Sequence, residues 1–69
     1  MNPEGVLARN LIALGVEATV AFHIPSIVTG PTMTTVRCIE LLVERYEGID
    51  QPRLTDAIQG YVRHSKLGF

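Results

Sequence analysis

The sequence predicts a small, mainly α-helical domain, and three observations carry that expectation. Two stretches set apolar residues at helical spacing against charged residues on the opposite arc. Prolines and capping residues fall at the ends of those stretches. Only residues 17–24 alternate at period two, and a lone strand has no partner within the chain. The expected elements are helices over about 3–14, 32–47 and 51–66, the last two forming a helical hairpin, with 17–24 reading as either strand or helix.

The first helix opens on Asn2 as N-cap, with Pro3 at its first position and Glu4 where the helix dipole favours an anion. Leu7, Leu11 and Leu14 follow at helical spacing, Ala8, Ile12 and Val16 widen the stripe, and Gly15 stops it. At 100° per residue these positions cover roughly 200° of the circumference, more than one neighbour covers. Such a helix wants contacts on two sides. In the next segment Ala18, Val20, Phe22 and Ile24 share one side at period two, yet Val16, Val20 and Ile24 are also four apart. The reading leans to helix or irregular structure, ended by Pro25 and followed by a loop from Ser26 to Pro31.

Thr32 or Thr29 caps the third helix, which continues to Gly48. Val36, Cys38, Ile39, Leu42, Val43 and Tyr46 span about 160° of it. Arg37, Glu40, Glu44 and Arg45 hold the other side, and Leu41 stands among them. Asp50 caps the last helix, Pro52 lies in its first turn, and Leu54, Ala57, Ile58, Tyr61 and Val62 form its stripe. Arg63, His64 and Lys66 gather near its end, where cations offset the dipole. Gly60 weakens this helix by about 1 kcal/mol relative to alanine, which points to another backbone approaching closely.

Sixty-nine residues allow a single domain, 1–69, and a chain this short buries only about 60% of its unfolded surface. Hydrophobic residues make up 46% and charged residues 19%, with mean hydropathy +0.22, which separates the chain from disordered sequences. Six Lys+Arg against seven Asp+Glu give a net charge of −1, so no strong electrostatic attraction to nucleic acid is expected. The apolar stretch from Val6 to Val28 is broken by Arg9, Asn10, Glu17, His23 and Pro25, so no membrane span is expected. A single cysteine suits a reducing compartment, and a cytoplasmic location is expected.

The chemistry-bearing residues do not converge. Cys38 falls on the apolar arc of its helix, which fits a buried structural thiol better than a nucleophile. His23, His64 and Cys38 lack metal-ligand spacing, so neither metal nor cofactor is expected. Glu40 and Glu44 share their face with Arg37 and Arg45, as solvated ion pairs do. No enzymatic activity is expected. Thr32, Thr34 and Thr35 bring hydroxyls to a helix start, where free N–H groups attract an anion.

Three functional readings follow. The leading one is a small regulatory protein that binds another protein, for example as an inhibitor or modulator, and forms a homo-oligomer. Its partner surface centres on Leu41, with Arg37, Glu40, Glu44, Arg45 and Thr34 around it, as an apolar anchor within a polar rim. Self-association falls to Leu7, Leu11 and Leu14 of the first helix. The second reading is DNA binding. Alternating residues 18–24, Pro25, a helix, Gly48 and a second capped helix form an order that resembles the ribbon-helix-helix DNA-binding family over about 50 residues. In this chain Glu17, Thr19, Ala21 and His23 form the strand face, which holds no Arg or Lys for base edges, so Arg53, Arg63, His64 and Lys66 are the candidate contacts. The third reading is a ligand- or nucleotide-binding oligomer that uses the threonine-rich helix start.

Overall fold

In the computed structural model, which describes residues 2–66, α1 (Pro3–Ala13) begins where the sequence places it. The Asn2 Oδ1 accepts from the Gly5 N–H at 2.6 Å, and Pro3 occupies the first helical position, where no N–H is needed. Gly15, at φ 108°, closes the helix: its N–H bonds the Ile12 carbonyl at 3.0 Å and the Val16 N–H bonds the Leu11 carbonyl at 3.0 Å. That reciprocal pair requires a left-handed residue between the two donors, and glycine adopts it without strain.

The main departure from expectation is α2 (Ala18–Thr29). Residues 17–24 are not a strand, and the described residues form four helices rather than three. A strand would bury Ala18, Val20, Phe22 and Ile24 together, whereas Ala21, Ile24, Pro25 and Val28 are buried and Ala18 and Phe22 are exposed. The helical period therefore decides which side faces inward. Pro25 does not end the segment; it sits inside the helix. Its missing N–H and its ring cost about 3 kcal/mol in an isolated helix interior. Burial of the ring in the core offsets that cost, and the Thr29 hydroxyl donates to the Pro25 carbonyl at 2.8 Å. Gly30 then turns the chain, so the loop begins four residues later than expected.

The third helix, α3 (Thr35–Arg45), is shorter than the expected 32–47. Its cap is Thr34, whose Oγ1 accepts from the Arg37 N–H at 3.2 Å, rather than Thr32 or Thr29. Cys38, Ile39 and Leu42 are buried, but Val36 is 62% exposed and lies outside the apolar side. Gly48, at φ 83°, turns the chain into α4 (Gln51–Lys66), where the Asp50 Oδ1 accepts from the Arg53 N–H at 3.2 Å. This pair is the expected hairpin.

The core joins Leu7, Ala8 and Leu11 of α1 to Ala21, Ile24 and Val28 of α2, with Cys38, Ile39 and Leu42 of α3 and Leu54 and Ile58 of α4. α1 packs against α2 on one flank and α4 on the other, and α4 touches all three other helices. That answers the demand of the wide apolar arc of α1 from within one chain. Leu7 and Leu11, expected to pack across subunits, are instead 2% and 0% exposed in the chain's own core, while Leu14 is half-buried.

Candidate interaction surfaces

The charged side of α3 is open, and Leu41 is less exposed than the charges around it. Leu41 is half-buried and stands apart from the hydrophobic residues that pack on the core. Arg37, Glu40 and Glu44 are exposed. Arg45 is engaged: its guanidinium reaches Glu17 Oε2 at 3.5 Å and lies 5.7 Å from the centre of the Tyr46 ring. The Glu17 N–H also donates to the Tyr46 hydroxyl at 3.4 Å. These contacts tie the α1–α2 turn to the end of α3, so Arg45 works here as a clasp between segments.

At the start of α3 the Thr34 hydroxyl already satisfies a backbone donor that an anion would otherwise use. Thr32 is exposed in the preceding turn and Thr35 is half-buried at the first helical position. On α4 Arg53 stands apart from Arg63 and His64. Arg53 pairs with Asp50 at 3.4 Å, and ten residues separate it from Arg63, about 15 Å along the axis. Arg63 and His64 are exposed, while the side chain of Lys66 lies outside the described residues. The ribbon-helix-helix layout falls with the strand, because residues 18–24 are helical. Burial pushes the Cys38 thiol above its ordinary 9.0, away from the thiolate a nucleophile needs. Among the described residues no three His, Cys, Asp or Glu side chains come together. No helix among them is long and apolar enough to cross a membrane.

Two surfaces emerge that the sequence reading missed. One is the outer face of α2, where Ala18, Thr19, Phe22, His23, Ser26 and Thr29 are exposed. The whole helix holds no Asp, Glu, Lys or Arg, and Phe22 is 60% exposed. Beside Phe22, the hollow bounded by Pro25, Ser26, Thr29, Glu4 and Tyr61 has a volume of about 320 Å³. Burial first, and then the Glu4 charge, push the Tyr61 phenol above its ordinary 10.0, so it stays a neutral hydrogen-bonding group. The second surface is a groove of about 460 Å³ between α1 and α4, walled by Pro3, Val6 and Asn10 on one side and Ala57, Gly60 and Tyr61 on the other. The expected close approach to Gly60 does not come from the described residues, none of which lies within 4 Å of where a side chain would begin there. The signal for the first surface was in the sequence as nineteen consecutive residues, 18–36, without Asp, Glu, Lys or Arg. No known family, curated protein or solved structure matches the chain.

Proposed function

We propose that this protein is a non-enzymatic interaction protein that binds an apolar segment of a protein partner across the outer face of α2. The observation that supports this reading is Phe22, 60% exposed on a helix without a charged residue. An aromatic ring in water carries a large apolar area at a small loss of side-chain freedom on binding, which is why such rings anchor interfaces. The hydroxyls of Thr19, Ser26 and Thr29 around it supply polar contacts without the desolvation cost of a charge. Phe22 takes the anchoring role first assigned to Leu41, because it presents the larger free surface.

A photo-crosslinking residue placed at position 22, with a second version carrying it at Glu47 on the exposed α3–α4 turn, tests the reading in the native host. A discrete protein adduct from position 22 and none from position 47 is expected. Excess unlabelled protein should suppress the adduct, and Phe22→Ser protein should not. The Phe22→Ser protein should keep the unfolding temperature within about 2 °C, since the ring contributes little to the core. Nuclease-sensitive adducts, or equal adducts at both positions, would overturn it.

A further inference from the structure

We infer that the groove between α1 and α4 is a self-association site, in which the α4 of a second copy crosses antiparallel over Gly60. The inference is independent of the partner proposed for α2. Gly60 lies within a helix, where glycine is a poor choice, and none of the described residues uses the space its missing side chain leaves. Its neighbour in the groove, Ala57, is also small, so a second helix can settle close to this backbone. Val6 and Pro3 wall the groove from α1, and Val6 is 40% exposed, which gives the crossing an apolar edge.

Charge selects the occupant. Asp56 and Arg63 flank Gly60, four residues before and three after, and both are exposed. Neither has an ion-pair partner among the described residues. Both lean to the same side of the line that runs along the helix through Gly60, at about −40° and −60° from it at 100° per residue. A twofold axis perpendicular to α4 at Gly60 sets position 56 of one copy opposite position 64 of the other. Asp56 then faces the second copy's Arg63 one residue away on the same side, and the pair occurs twice by symmetry. A parallel crossing would set Asp56 against Asp56. Arg53 is held by its own Asp50 at 3.4 Å and does not oppose the pairing. The surface is thus complementary to itself in charge, as a twofold contact requires.

Sedimentation equilibrium on the full chain, from about 1 to 500 μM, tests the inference. The wild type should move from the 7.6 kDa monomer to twice that mass over this range. Gly60→Leu should weaken the dimer at least about tenfold by filling the crossing point. Asp56→Arg should weaken it by a similar factor, and Asp56→Arg combined with Arg63→Asp should restore it to within about threefold. Circular dichroism confirms that each variant is folded; should Gly60→Leu fail that check, the charge pair decides alone. A wild type that stays monomeric throughout overturns the inference. So does a Gly60→Leu protein that dimerises as before, or a charge swap that does not restore what the single reversal lost. A dimer abolished by Phe22→Ser but untouched by Gly60→Leu would move the contact to α2 and overturn it as well.

Discussion

The α1–α2 pair and the α3–α4 pair are both helical hairpins closed by a glycine-bearing turn, yet they are built from different material. Through residue 34 the chain carries three charged side chains, Glu4, Arg9 and Glu17; the other ten of its thirteen lie from Arg37 onward. In α3 and α4 the charges mark the outside and the apolar stripe marks the inside. On α1 only Glu4 and Arg9 mark the outside, and on α2 nothing charged does, so burial alone distinguishes the faces of α2. Capping differs too: Asn2, Thr34 and Asp50 cap their helices through side chains, while Glu17 makes no such bond to α2. The comparison teaches that a neutral helix can be placed by packing alone, with Pro25 inside it and no cap at its start. What it leaves on the surface is a face cheap to desolvate.

The largest effects should come from the core, where the two hairpins can be compared directly. Leu11→Ala and Leu54→Ala each remove a fully buried side chain and should each cost about 3 kcal/mol in urea unfolding. Equal losses would show the charge-poor hairpin packed as tightly as the charge-rich one; a much smaller loss at Leu11 would break that equivalence. Capping comes next. Thr34→Ala should cost about 1 kcal/mol, whereas Glu17→Asp should add up to about 1 kcal/mol by giving α2 the cap it lacks. A stabilised Glu17→Asp protein sharpens the contrast, and an unchanged one shows that packing had already fixed the start of α2.

Cys38→Ala should also cost about 1 kcal/mol, and the native thiol should react with a disulfide reagent far more slowly than in the unfolded chain. Because burial raises the folded thiol above its ordinary 9.0, this group's contribution is fully present below that pH. As pH rises past 9.0 the unfolded chain loses its proton first, and stability falls. The Cys38→Ala protein should lack that alkaline component. The smallest effect belongs to the clasp between the hairpins. Arg45→Gln breaks a pair whose side chains are each 60% exposed, and the unfolding midpoint should not move measurably.

The same division of charge explains how much could be read from the sequence. The span of α4 was legible to the residue, because Asp50, Pro52 and a stripe from Leu54 to Val62 agree with one another. The stop of α1 at Gly15 was legible from the glycine alone. α2 was not, because Ala18, Val20, Phe22 and Ile24 fit a strand while Ala21, Ile24 and Val28 fit a helix, and no charge broke the tie. Pro25 pointed the wrong way, since its local preference yields to the burial of its ring. The self-association assigned to Leu7 and Leu11 followed from counting three helices; the fourth covers the flank that the count left bare. Leu41 stands among charges in the structure as in projection, half-buried beside exposed Arg37, Glu40 and Glu44.

The place of α4 has a consequence for the order in which the molecule is made. It supplies Leu54 and Ile58, both fully buried, and, like α2, it is in contact with all the others. It is also the last of the four to leave the ribosome. Until it arrives, Leu7 and Leu11 have α2 on one flank and water on the other, and α3 has only a slight contact with α2 to rest on. The nascent chain therefore carries an open apolar seam until α4 has been made, and the four helices close on one another only then.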